Sequence, residues 1–281
     1  MMEHMHERPM ISVLMSAYNE EDWVEEAIDS ILKQTYEDFE FIIVNDGSTD
    51  DTAEILASYE KRDNRITVIN QENKGLTKSL NKGLKHCSGK YVARMDANDI
   101  ALPTRFEKQA SFLEEHPDHA VIGTWREEFW ENQDKKRSVH FPTRNQIIQR
   151  TLVKYCCLGH STTMMRTSVL KDLQYNESYD LGEDYDLWTR IGESHKLANL
   201  PDDLMLIRRI PGSITTSKNK WKNFKYQMRI KLNAWLRLQT RWWDIIHIVR
   251  PIIVLLLPSK LVDVYVDWKT QGRRNTKTDS D

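Results

Sequence analysis

The sequence predicts an α/β fold: a doubly wound, mostly parallel sheet with helices on both faces. Three observations point there. Short β-rich apolar runs alternate with segments of helical periodicity through the first hundred residues. The loops between them are short, as in repeated β-α units. Polar residues, many of them Asn and Asp, gather directly after the apolar runs, which is where open α/β sheets bind ligands.

Ile11–Met15 and Phe39–Val44 are short, β-rich and mainly apolar runs, of the kind buried on both faces of a parallel sheet. Between them Trp23, Ala27, Ile28, Ile31 and Leu32 recur at helical spacing, with Glu20, Glu21 and Asp22 loading the helix start with negative charge. Thr52–Tyr59 reads as helix, Ile66–Ile69 as strand, Leu76–Cys87 as helix and Tyr91–Met95 as strand. Phe106–Glu115 is a helix opened by Pro103 and closed before Pro117. Ala120–Trp125 is a further strand. Residues 126–182 are less regular, with a strand near Ser161–Arg166, and Tyr185–Ser194 reads as helix. Beyond Pro211 come a long basic helix, a Pro-bounded apolar segment and a polar tail.

Of the 281 residues, 40% are hydrophobic and 29% charged, which excludes collagen-like, low-complexity and disordered classes. The net charge of −2 hides an asymmetry. Residues 1–203 carry 24 Lys and Arg against 37 Asp and Glu, whereas residues 204–281 carry 16 against 5. An acidic body joined to a basic arm implies an anionic partner for the arm. Three cysteines, Cys87, Cys156 and Cys157, give no disulfide framework and point to a reducing compartment. The amino terminus has no signal-peptide pattern. The longest apolar run, Ile252–Leu257, is too short to span a bilayer.

Neither Gly-x-Gly nor Gly-Lys-Ser/Thr occurs, so a nucleotide would not be held by a glycine-rich cradle. The strand ends carry Ser16, Tyr18, Asn19, Asn45, Asp46, Gly47, Asn73, Lys74, Gly75, Asp96, Asn98 and Asp99. So acidic an edge suits a divalent cation set between carboxylates and phosphates. Each motif also has a plain structural use. Asp46-Gly47 makes a turn, and Glu183, Asp184 and Asp186 load a helix start with negative charge.

The motifs come in a telling order. Val13–Glu20 is followed by Ser30–Thr35, Val44–Asp50, Asn73-Lys74-Gly75, Arg94–Asp99, Leu102-Pro103-x-Arg105-Phe106-x-Lys108-Gln109, Gly159-His160-Ser161 and Gly182–Trp188. Over residues 10–210 this resembles the family 2 glycosyltransferases of GT-A fold. The resemblance implies a donor half at about 10–125 and an acceptor half at about 126–210, beyond which residues 211–281 form the basic, aromatic helical extension. It implies an inverting transfer from a nucleotide-diphosphate sugar, UDP preferred, to a lipid-linked or polysaccharide acceptor, assisted by Mg²⁺ or Mn²⁺. Ser16, Tyr18, Glu20, Asp46, Lys74, Asp96 and His160 fall on donor-binding positions, and Asp96, Asn98 and Asp99 on the metal-binding Asp-x-Asp segment. Asp184 matches the catalytic base, with Glu183 beside it. Asn98 departs from the family, which has Asp there, and the lost charge implies weaker metal binding. That departure also motivates an alternative, a catalytically weak nucleotide-sugar-binding or scaffold protein. A sugar nucleotidyltransferase would need a glycine-rich phosphate loop, which is absent.

In the arm, Trp221, Phe224, Met228, Leu232, Trp235 and Trp242 follow helical spacing beside Lys218, Lys222, Lys225 and Arg229. This pattern predicts an anionic membrane surface as partner of residues 218–258, at the cytoplasmic face, rather than nucleic acid. The competing expectation is a helix docked on the acidic body.

Overall fold

A computed structural model of the chain describes residues 9–131, 133–210, 220–238 and 240–249, with side chains from residue 224 onward in the third segment. The amino-terminal half runs β1 (Ile11–Ala17), α1 (Val24–Leu32), β2 (Phe39–Asn45), α2 (Thr52–Arg62), β3 (Ile66–Asn70), α3 (Leu76–Leu84) and β4 (Tyr91–Asp96). Then come β5 (Ile100–Ala101), α4 (Arg105–Glu115), β6 (His119–Phe129), β7 (Lys136–Val139), α5 (Asn145–Leu152), β8 (Met164–Arg166) and α6 (Thr167–Leu173). The last elements are α7 (Glu183–Ser194), β9 (Lys196–Arg208) and α8 (Lys220–Arg237).

The strands form one sheet in the order β3-β2-β1-β4-β8-β6-β9-β5, with β7 paired to β6. β3, β2, β1 and β4 are parallel neighbours, and β6 and β9 run parallel farther along. β8 is antiparallel to both β4 and β6, so β6 and β9 point the same way as β4. The carboxyl ends of β1, β2, β4, β6 and β9 therefore share one edge.

The alternation of side chains along each strand divides the core in two. Tyr91, Ala93 and Met95 of β4 join the cluster beneath α1, α2 and α4. Val92 joins the opposite cluster with Leu14, Ile42, Tyr175 and Trp188, beneath α3, α5, α7 and α8. Helices on both faces are what continuous apolar strands require.

The expected elements are present, with shifted ends. The strand expected near Ser161–Arg166 is a 3-10 turn at His160–Thr162 followed by β8 alone. β9 was not legible in the sequence, although its 13 residues make it the longest strand. Pro201-Asp202-Asp203 interrupts its alternation, and the structure absorbs the break as an irregularity: Thr124 pairs with Leu200, but the next residue, Trp125, pairs with Asp203.

The arm needs a correction. Its helix exists, but the buried stripe is Ile230, Ala234 and Leu238, four residues apart, set against α7. Leu232 and Trp242, expected on the apolar face, are 43% and 76% exposed. Arg229 lies over the Tyr179 ring and Arg237 sits 3.8 Å from Glu193. Docking on the body is therefore real. The side chains of Lys218, Trp221 and Lys222, and the apolar segment 252–257, lie outside the described residues. Among those residues, no helix is long and apolar enough to cross a membrane.

Ile230→Ala should lower the unfolding free energy by about 2–4 kcal/mol, because it opens a cavity under a docked helix. Leu236→Ala, at a side chain 66% exposed, should change it by no more than about 0.5 kcal/mol. Urea unfolding of the two variants makes the comparison, and equal small effects would show that α8 is not held.

Candidate active site

Parallel pairing brings the strand-end residues to one level. Ser16 lies opposite Asp96 across the β1–β4 pair, and Ala17 opposite Asn45 across β1–β2. The loops after β1 and β2 are then tied together. Asn19, held at φ 54°, accepts from the Thr49 amide and donates its own amide to Ser48 Oγ. Glu20 N donates to Thr52 Oγ1, and Asp51 N donates to Glu21. Tyr18 stands 46% exposed at the mouth.

Asp46 is buried and organises the loop after β3. Its carboxylate accepts from the Lys74 amide at 2.9 Å, the Gly75 amide at 2.8 Å and the Gln71 side chain at 2.7 Å. A carboxylate has about four acceptor sites, so one remains beyond these three donors. Gly47, at φ 76°, closes the same knot: a Cβ there would meet the Asn73 nitrogen at 2.6 Å. The Lys74 side chain is exposed above it.

The β4–β5 turn carries Asp96, Asn98 and Asp99 in different settings. Asp96 and Asn98 are partly exposed, whereas Asp99 is turned inward. Asp99 Oδ1 accepts from the Arg208 amide at 3.2 Å, and the Ser161 side chain lies against the same carboxyl. Arg208, at the end of β9, fastens this turn to the body. Its guanidinium donates to the Asn98 carbonyl, Glu26 and Glu131 and lies over the rings of Trp23 and Phe129.

On the other side, Gly182 takes the left-handed conformation, φ 82°, and starts α7. Glu183 follows, buried, and Asp184 is partly exposed. Asp184 Oδ1 accepts from the Tyr185 amide at 2.7 Å, and Cys156 Sγ lies 3.9 Å from its Oδ2. His160 Nε2 is 3.0 Å from the Tyr175 hydroxyl, and its Nδ1 is 3.7 Å from Glu183. Between the two sides lies Arg94, 1% exposed, with Nη2 2.6 Å from Asp96 Oδ1.

The charges explain one another. Burial first, then Asp96, Asp99 and Asp50, push the Glu20 carboxyl up to about 7. Burial also raises Asp99, Glu183 and Asp184, and the Arg94 charge opposes each rise. Burial, aided by Arg94, lowers His160 far enough to leave its imidazole neutral near pH 7. The arrangement offers an anionic rim for a cation, a neutral histidine and a half-buried carboxylate able to take a proton.

No three His, Cys, Asp or Glu side chains among the described residues are placed to hold a metal unaided. The oxygen donors of Asp96 and Asn98, next to the crowded charges of Glu20 and Asp99, nevertheless suit a hard cation that takes its remaining ligands from substrate phosphates. The sequence alone does not mark Arg94, Arg208 or Tyr175. Arg94 sits inside a motif already singled out, and only its burial marks it. Arg208 had no signal, because β9 was not foreseen. A separate cleft of about 790 Å³, lined by His116, His119 and His195, lies at the amino-terminal ends of β6 and β9, on the opposite edge.

The sequence matches the model of the glycosyl transferase family 2 over residues 12–174, more than half of the chain. The amylovoran biosynthesis glycosyltransferase AmsE of Erwinia amylovora is 34% identical over 79% of this chain and 84% of its own. The O-antigen biosynthesis glycosyltransferase WbnJ of Escherichia coli is 37% identical over 65% and 71%. Among solved structures, S. aureus TarS with UDP-GlcNAc superposes with a TM-score of 0.69 at 22% identity, covering 85% of this chain and 70% of that one. The Pyrobaculum calidifontis mannosyltransferase PcManGT with GDP-Man and Mn²⁺ gives 0.62 at 16%, covering 87% and 69%. At these identities the two structures establish the fold, a GT-A-like sheet.

Glu20 yields a pH test. Its folded value, about 7, lies above its ordinary 4.5. The folded state thus keeps a proton that the unfolded chain releases, and stability is lost as pH rises through that window. In EDTA, Glu20→Gln should raise the melting temperature at pH 8 and have much less effect at pH 5. Equal shifts at both would show that the charge is not strained.

Proposed function

This chain belongs to glycosyl transferase family 2, and from that premise we propose an inverting transfer of a sugar from a UDP-sugar to a hydroxyl of a polysaccharide or lipid-linked acceptor. What carries the reading is one juxtaposition. The donor-type residues Ser16, Tyr18, Asp46 and Asp96 stand at the same sheet edge as the Glu183–Asp184 pair, with Arg94 between them. The biosynthetic names of AmsE and WbnJ support a glycan acceptor. The nucleotide sugars held by TarS and PcManGT support the donor class, and TarS favours uridine.

In this reading the base and ribose lie over Ser16 and Tyr18. Asp46 offers its remaining lone pair to a base N–H, and Lys74 and His160 face the phosphates and sugar. Residues 10–125 act as the donor half and 126–210 as the acceptor half. Asp96 and Asn98 would hold Mg²⁺ or Mn²⁺, with Glu20 near by and Asp99 holding the turn in place. A bound ion would neutralise charge that builds on the departing diphosphate.

Asp184 takes the acceptor proton. It is the more accessible member of its pair, whereas Glu183, buried against His160, orients it. The Asp184 value is raised by burial, so activity should fall as pH drops through that raised value. A single base facing the leaving group means in-line displacement with inversion. The alternative, a nucleotide-sugar-binding protein with little turnover, rests on Asn98.

At the end of α8, Trp242, Trp243, Ile246 and Val249 are exposed together beside exposed Arg241. This apolar and basic surface supports peripheral attachment to the anionic cytoplasmic face of a membrane, where lipid-linked acceptors reside.

Asp184→Asn should keep UDP binding and lose about 10²-fold or more in transfer or donor hydrolysis. Wild-type rates in the variant would reduce Asp184 to a helix-start charge, and rates unaffected by EDTA would remove the metal. Trp242→Ser with Trp243→Ser should weaken co-sedimentation with vesicles containing phosphatidylglycerol, and added salt should weaken it further without abolishing it. A full-length chain that ignores such vesicles at low salt contradicts the attachment.

A further inference from the structure

We propose that Arg94 is the residue that reads the transferred sugar, donating hydrogen bonds to its ring substituents from the floor between donor and base. The assignment rests on the transferase reading above and adds a contact that the reading does not need.

Arg94 is 1% exposed, yet none of its three guanidinium nitrogens has a hydrogen-bond partner. Its Nη2 approaches Asp96 Oδ1 to 2.6 Å, a close meeting of charges that lacks hydrogen-bond geometry. Buried donors in native proteins are almost always satisfied, and an orphaned set is expected where a ligand belongs. Arg105, the other fully buried arginine nearby, provides the contrast. It donates to the Arg94 and Thr163 carbonyls and to Gln109, so its role is internal.

The position says which part of the ligand is met. Arg94 shares a sheet face with Asp96, two residues along β4, but sits below it, buried where Asp96 is 40% exposed. The rim at Asp96 and Asn98 is the level of the diphosphate. The Arg94 charge acts on Glu183, Asp184, His160 and Tyr175 across the site. In an in-line displacement the reacting carbon lies between leaving group and base. A side chain reaching from Asp96 toward Asp184 therefore lies under the transferred sugar rather than under the phosphates. Its forked donors suit paired sugar oxygens, hydroxyl or acyl. A site built to hydrogen-bond a substituent rejects sugars that lack or misplace it.

The test compares full-length wild type, Arg94→Gln and Arg94→Lys in Mn²⁺. Binding of UDP is measured by calorimetry. Hydrolysis of UDP-glucose, UDP-galactose and UDP-GlcNAc gives kcat/KM for each donor. Arg94→Gln should hold UDP within about threefold of wild type while its preference among the three donors shrinks by about tenfold or more. Arg94→Lys, which keeps the charge and is the milder change to the fold, should keep UDP binding and lose part of the preference. UDP binding lost in step with donor use would make Arg94 a phosphate clamp and overturn the proposal. A donor preference unchanged in both variants would make it a packing residue and overturn it equally. Wild type that binds neither UDP nor any of these donors would sink the transferase reading, and this assignment with it.

Discussion

Five carboxylates crowded at one sheet edge are the constraint around which the rest of the molecule is arranged. Glu20, Asp96, Asp99, Glu183 and Asp184 come from three distant parts of the chain, and burial and mutual repulsion raise four of them. Like charges in a poorly solvated place separate unless something holds them. Here the holding is covalent and steric, through parallel strand ends and a helix start. The charge is offset by two buried arginines, Arg94 among the acids and Arg208 behind the β4–β5 turn.

This arrangement separates two uses of the same residue types. Asp46 and Asp99 are buried acids that accept from backbone amides, and they shape the loops after β3 and β4. Asp96 and Asp184 keep partly open carboxylates facing the cleft. A capping acid spends its acceptors on its own backbone, and a chemical one keeps them available. By that measure the structural reading describes how Asp46 and Asp99 are held, and Asp96 and Asp184 are the members whose carboxylates stay accessible.

The basic arm likewise presents two surfaces. Ile230, Ala234 and Leu238 complete the core over α7, so the arm is part of the body's stability. Exposed Leu232, Leu236, Trp242 and Trp243 lie outside that stripe. Periodicity alone could not choose between a docked helix and an interfacial one, because an amphipathic helix presents the same alternation to either partner. The contacts on α7 show which face is taken up.

By itself the sequence determined the sheet's parallel half, because runs such as Ile11–Met15 and Phe39–Val44 are apolar but for Ser12 and Glu40, the pattern of strands covered on both faces. It also determined the family, because ordered motifs survive as local chemistry at strand ends. It did not determine β9, whose alternation is broken at Pro201-Asp202 and restored only by an irregular pairing with β6. Nor did it distinguish Arg94 from any other charged residue near a motif. That distinction belongs to the tertiary structure, because burial and unused hydrogen-bond donors are properties of the surroundings, and those are assembled from β1, β4, α7 and the turn at His160 only once the chain has folded.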